Sequence, residues 1–451
     1  MAGAVAWWTQ FPVPLQHLAR LRLIAMIGAG GVLYLTPMVF HREAFSASSV
    51  GAGLALAALA GTIGRLASGV LLDRGRRASL PVVLAVACAL LGDALLLLSR
   101  GFGGYAAGQL LLGIAAGFYW PAVELAVPLS AGSLPSARGF ALVRSADALG
   151  VASGALIGAL LAAWGWLRGI YLVDIGCLLA MLTLLWGRPL PGSRVAAPDD
   201  SERLPLGGWL PPLLPLLLLT VLATALPVLM QGALPLDLVS GGLQRPPLPD
   251  SLGALIIGLQ LGLLLMLQWP VGQALARRPV GSGLGLSLVS FAVGCALLAL
   301  SAFSRQGLVV LLLAQLPLAL GEAAFLPTAT EALVELSPSH RQGLAMALFS
   351  QCFALSALIA PLVAGQLLDS QGNGVVLWLG MGALCLLGLP LVGQLERFQR
   401  RNLLQVLTGA APDGEAGRQS GGERRILYRF AESPAGEGPK TKKARKGSTK
   451  S

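Results

Sequence analysis

Residues 65–100 read RLASGVLLDRGRRASLPVVLAVACALLGDALLLLSR, and residues 268–303 read QWPVGQALARRPVGSGLGLSLVSFAVGCALLALSAF. Each is the end of an apolar segment, a Gly four residues before a short Arg-rich turn, and then a second apolar segment. A further pair follows in step. GIAAGFYWPAVELAV (113–127) with LPSARGFALV (134–143) answers GEAAFLPTATEALVEL (321–336) with SPSHRQGLAMAL (337–348). An internal repeat on this scale sets architecture. It predicts two halves of matching helices, the build of membrane proteins assembled from structural repeats.

Composition supports a membrane chain independently. Of 451 residues, 55% are hydrophobic and only 12% charged, and mean hydropathy is +0.73. A soluble surface typically needs about 25% charged residues. The net charge of +11 has the sign of a nucleic-acid binder, but residues 397–451 hold thirteen Lys/Arg against five Asp/Glu, so the body is close to neutral. No nucleic-acid partner is expected. Cys88, Cys177, Cys295, Cys352 and Cys385 all sit in apolar runs, where thiols pack as small hydrophobes. His17, His41 and His340 are scattered, so neither a metal site nor a cofactor is expected.

A spanning helix takes about 20 mostly apolar residues. Cutting at charged, Pro-rich and Gly-rich breaks predicts twelve spans, near 18–40, 47–72, 79–99, 103–129, 139–165, 168–186, 210–236, 251–276, 280–304, 307–335, 342–369 and 374–396. The amino terminus lacks the features of a cleavable signal peptide, so the first span is expected to stay as an anchor. Loop arginines then set orientation. One side collects Arg20, Arg22, Arg74, Arg76, Arg77, Arg138, Arg188, Arg194, Arg203, Arg277, Arg278 and Arg341, twelve before the tail is counted. The other holds five: Arg42, Arg100, Arg168, Arg245 and Arg305. The asymmetry predicts an integral protein of the plasma (inner) membrane with both termini cytoplasmic.

The organisation follows from these breaks. Residues 1–17 form a cytoplasmic segment, 18–186 a first six-helix half, 187–208 a polar cytoplasmic linker, and 209–396 a second six-helix half. Residues 397–451, rich in Gly, Ser, Lys and Arg, are expected to be disordered. That tail is either a solvated topology signal or an attachment to anionic lipid headgroups of the bilayer.

The stretch Gly69-Val70-Leu71-Leu72-Asp73-Arg74-Gly75-Arg76-Arg77 resembles the signature loop of the major facilitator superfamily. That loop carries Gly, three residues, Asp-Arg, a spacer, Gly-Arg and a further basic residue between the second and third helices. Here the spacer after Arg74 is missing. The second copy, Gly272 to Pro279, keeps Gly272, Arg277 and Arg278 but has Ala276 in place of the Asp. In physical terms Gly69 would let two helices approach closely, and Asp73 could cap a helix amino terminus. Arg74, Gly75, Arg76 and Arg77 would complete a cytoplasmic gate. By analogy with the family, Glu124 would pair with Arg76, and Glu331 with Arg277 or Arg278.

Ionisable residues inside spans are costly and therefore functional candidates. Arg65 lies about 12 Å from Asp73 along the helix, and repeat alignment places Gln268 at the same position in span eight. Arg65 also matches the anion-binding arginine of nitrate-type members, which makes it a candidate anion anchor or gate residue. Arg144 and Asp147, three apart, share a helical face. They form either a self-satisfied ion pair bound into the Glu124 network or, through Asp147, a proton site. Glu322, in mid-span ten beside Gly321, Ala323 and Ala324, is the leading proton carrier, against a structural role. Asp93 and Asp174, nearer the outer span ends, are expected to be hydrated. The drug-antiporter pattern is absent, with Gln109 where span four would carry Arg and Ala155 where span five would carry Pro; Gly150, Gly154 and Gly158 read as close packing.

The resemblance implies an all-α polytopic protein of two pseudo-symmetric six-helix bundles. It implies a monomeric secondary transporter, not an enzyme, that moves a small-molecule substrate by alternating access with protons as the coupling ion. An anion or organic-acid permease using Arg65 is the alternative, as is a transporter-like receptor or scaffold without transport.

Overall fold

The computed structural model describes residues 8–132, 134, 136–192, 210–275, 278–337 and 342–407. Its helices are α1 (Val13–Arg42), α2 (Ala47–Asp73), α3 (Ser79–Leu98), α4 (Phe102–Ala131), α5 (Ser136–Ala163) and α6 (Gly169–Gly187) in the first half. In the second half they are α7 (Leu210–Ser240), α8 (Asp250–Leu275), α9 (Val280–Ser301), α10 (Gly307–Leu336), α11 (Gln342–Gln371) and α12 (Val375–Leu407). All twelve are long and apolar enough to cross a membrane. The first begins five residues earlier than its hydropathy suggested, and α12 runs on to Leu407, so the expected disorder does not begin at residue 397. Most of the 187–208 linker and the tail beyond Leu407 lie outside the described residues.

Packing repeats as the sequence does. In the first half α1 packs on α5 and α6, α2 on α4, and α3 on α4 and α6. In the second half α7 packs on α11 and α12, α8 on α10, and α9 on α10 and α12. Across the halves α2 meets α11 and α5 meets α8, a pair of contacts that exchanging the halves would preserve, while α1 meets α7.

Small residues make the tightest seams, as expected where apolar lipid provides no hydrophobic drive between helices. A Cβ at Gly113 would stand 2.0 Å from the Ala57 carbonyl oxygen, and one at Gly117 would stand 2.3 Å from that of Gly61, so α2 and α4 touch backbone to backbone. Gly150 and Gly154 do the same for α5 on α1, with Gly154 2.1 Å from the Ile27 oxygen by the same construction, while Gly158 makes room for the Leu35 side chain. Gly69 and Gly272 do not. A Cβ at either meets nothing within 4 Å, which corrects the close-approach role expected of Gly69.

The two halves are joined at the face opposite the signature loop, called here the far face. One apolar cluster runs from the far end of the first half (Met38, Phe40, Tyr105, Ile170) into the second (Leu226, Ile257, Phe291, Trp378). A separate cluster (Leu15, Leu18, Val82, Val123, Leu142) stays within the loop-face end of the first half. At the far face Gly51 lies against the Pro361 carbonyl and Gly365 against that of Ala47. Asp369 of α11 accepts from the backbone N–H groups of Ala47 (2.8 Å) and Ser48 (2.9 Å), capping α2 from the other half. Arg42 of α1 pairs with Asp250 at the start of α8. Deeper along the same seam α2 and α11 part around a cavity of about 330 Å³ lined by Ala58, Thr62, Gln351, Cys352 and Leu355. The molecule is therefore closed on the far face.

Candidate functional site

The signature loop is well formed. Arg74, Gly75 and Arg76 donate back to the carbonyls of Val70, Leu72 and Leu71, and Gly75 takes φ +72°, a conformation open to glycine. The loop also holds the chain leaving α6. Ala78 N–H donates to Pro191 O (3.2 Å), Leu190 N–H donates to Ser79 Oγ (2.7 Å), and Arg77 bridges to Gly192. Arg74, Arg76 and Arg77 are exposed and form no ion pair among the described residues. The Asp73 side chain and Arg277 lie outside the described residues, Arg278 is exposed, and Glu331 is half-buried and engaged.

Glu124 does not pair with Arg76. Its partner is Arg22, counted above among the loop arginines and in fact inside α1 with a side chain 0% exposed. Arg22 Nη2 donates to Glu124 Oε1 at 3.1 Å. Its Nε and Nη2 donate to the two carboxylate oxygens of Asp147, the Nε bond at 2.9 Å and the Nη2 bond at 2.5 Å. The guanidinium also lies 5.3 Å from the centre of the Trp120 ring. Asp147 is thus bound to α1 across 125 residues of chain, and Arg144 is exposed without an ion pair among the described residues, so Arg22 stands where the Arg144 partner of Asp147 was expected. Three helices meet here because Gly150 and Gly154 bring α5 against α1 just above the charges.

Glu322 sits halfway along α10 with no ion pair among the described residues. Its neighbour is Tyr34 of α1, whose hydroxyl also lies beside Gln231 of α7. Tyr34 and Gln231 lie eight and nine residues before the ends of α1 and α7, so they are near-equivalents in the two repeats and meet across the pseudo-symmetry axis. Sequence reading singled out Glu322 but neither of these companions, which as a Tyr and a Gln in apolar helices gave no charge to notice. Arg65 and Gln268 are each partly buried without a hydrogen bond among the described residues.

Asp93 and Asp174 are not hydrated. They are 0% and 5% exposed and lie against each other between α3 and α6. No donor from another residue reaches either oxygen of Asp93 or Oδ1 of Asp174, and Gly28 leaves the space that Asp174 fills. Two carboxyls in contact can hydrogen-bond only when one of them keeps its proton as the donor. Asp93→Asn should therefore leave the melting temperature of the purified protein unchanged or raise it, since the amide supplies an N–H. A drop of many degrees would mean the pair depends on both carboxyls.

Two arginines brace the far ends. Arg168 donates to the carbonyls of Leu96, Leu97 and Ser99 at the end of α3 and pairs with Glu43 after α1 at 2.9 Å. Buried Arg245 pairs with Asp237 of α7 at 3.2 Å and donates to Ser301 Oγ of α9. Asp237 in turn accepts from Gly374 N–H and Trp378 Nε1, each at 3.0 Å. Each arginine therefore ties the far ends of equivalent helix pairs, α1 with α3 and α7 with α9.

A doubled six-helix bundle, a signature loop between α2 and α3, and buried charge at the seam of the halves stand together with a family match. The Major Facilitator Superfamily model matches residues 18–282 and 233–412. The chain belongs to the major facilitator superfamily. Solved structures with this fold include the nucleoside transporter NupG, 13% identical, with a TM-score of 0.68 over 85% of this chain and 99% of that one. A POT family transporter in complex with 5-aminolevulinic acid is 11% identical, with a TM-score of 0.69 over 84% and 95% of the two chains. A structure from work on proton dependent oligopeptide transporters is 15% identical, with a TM-score of 0.68 over 86% and 99%. No curated protein matches the sequence. As a superfamily member this chain is an integral membrane protein of transporter type.

Proposed function

We propose that the chain is a proton-coupled secondary transporter that moves a small solute by alternating access, with Glu322 as the proton carrier. The observation that carries this reading is Glu322 itself, a carboxylate in mid-span without a cation among the described residues, beside the Tyr34–Gln231 contact where the halves meet. A carboxylate so placed can exchange a proton with whichever face is open. Far-face closure by Asp369 and the Arg42–Asp250 pair supports a cycle in which these contacts break as the loop face closes. The solved neighbours described as proton dependent support the coupling ion, and their substrates support a small polar solute.

Glu322→Gln keeps size and hydrogen bonding but cannot titrate. In proteoliposomes it should abolish pH-driven uphill accumulation while leaving downhill exchange largely intact. A variant that still concentrates solute would remove Glu322 from this role. The signature-loop face is proposed to be cytoplasmic. A membrane-impermeant thiol reagent added outside cells should then label Cys introduced at Gln244 and not at Arg76; the opposite pattern would invert the cycle.

A further inference from the structure

We propose that Arg22 is the anion-binding group of the transport site, and that Glu124 holds its place until a solute carboxylate displaces it. This rests on the transporter reading above and names a substrate class for it. Arg22 presents five N–H donors in a planar fork that suits bidentate carboxylate binding. Asp147 takes that fork with both oxygens, whereas Glu124 makes one bond, and buried Nη1 has no partner among the described residues. The hydroxyl of Tyr119, buried next to Arg22, also lacks a partner among the described residues. A guanidinium with an unused donor, beside an unused hydroxyl, is provided for an acceptor that the resting protein does not supply.

The two acids differ in how readily they could leave. Asp147 is bidentate and 15% exposed, while Glu124 is monodentate and 31% exposed. Glu124 is thus the lid over Arg22. The charges that face it are Arg22 on α1 and Asp147 on α5, with Tyr119 and Trp120 on its own helix, while exposed Arg144 faces Asp147 from the solvent side and stays outside the buried cluster. One guanidinium and two carboxylates sum to one negative charge. If Glu124 turns out toward water as a solute carboxylate takes its place on Nη2 and Nη1, one negative charge replaces another and that sum is unchanged. The exchange therefore adds no new buried charge to the cluster. Arg65, which also lies in a span, has no such acid to hold its place and no unpartnered hydroxyl beside it.

The test is thermal stabilisation of the full-length protein in detergent by acetate and benzoate, with methylammonium as the cationic control. The unmodified protein should be stabilised by the carboxylates and not by methylammonium. Glu124→Gln, which removes the competing charge and keeps the side-chain shape, should bind them more tightly. Arg22→Lys keeps the charge but loses the fork, and should weaken binding about tenfold or more. Should Arg22→Lys fail to fold, Glu124→Gln decides alone. Weaker binding in Glu124→Gln, stabilisation by methylammonium instead, or no carboxylate effect in either protein would overturn the proposal. Binding read in detergent does not depend on coupling, so a failure of Glu322 as proton carrier would show only in the proteoliposome assay.

Discussion

Replacing Arg22 with Leu is expected to destabilise the protein by about 3 kcal/mol, near the low end for orphaning a buried charge, because Asp147 and Glu124 retain some water. The cause is geometric. Asp147 loses both of its strong donors and Glu124 its one, while the leucine fills only part of the space and leaves the Trp120 face uncovered. Arg144→Leu is the matched control. Arg144 is exposed and unpaired, so its loss should stay within about 0.5 kcal/mol. Thermal melts of the two variants in the same detergent read the difference. If Arg144→Leu proved the more damaging, Asp147 would belong to Arg144 as adjacency on α5 suggests, and the α1–α5 bridge would be wrong.

Gly113→Ala should be the most damaging single-methyl change in the chain. Its new Cβ would fall 2.0 Å from the Ala57 oxygen and 2.7 Å from the Ala57 carbonyl carbon and Cα, all backbone atoms that no rotamer change can move. α2 and α4 would have to separate along their whole contact, at a cost of about 3 kcal/mol or more. Gly69→Ala, in contrast, meets nothing within 4 Å and sits inside α2. It should stabilise the helix by roughly 0.5–1 kcal/mol, the ordinary gain of Ala over Gly. Both can be read as shifts in melting temperature, with folded yield as a second measure. Severe loss in Gly69→Ala would show that the loop glycine packs against something in a second conformation.

What could be read from sequence was decided by quantities local in the chain. Span number follows from length and apolarity, because the cost of leaving a polar segment in lipid is paid residue by residue. The two-fold architecture follows from the Gly69 and Gly272 copies, because similar segments fold alike. Glu322 was legible for the same reason, a carboxylate among Gly and Ala in mid-span. The glycines of α5 were also read correctly as packing, since their spacing of four lines one face of a helix.

Partner choice was not local. Arg22 stands two residues from Arg20 near a span end, and hydropathy alone assigns both to the loop; only the approach of α5, set by Gly150 and Gly154, takes Arg22 out of water and delivers Asp147 to it. Glu124 followed Arg22 rather than Arg76 because it lies within a helix beside α1, not at the loop. Asp93 and Asp174, 81 residues apart, each looked hydrated alone and are buried only because α3 and α6 pack together. The chain determines which groups enter the membrane. Which of them meet depends on interhelical spacings of a few ångströms, and those are set by contacts between residues that have no proximity in sequence.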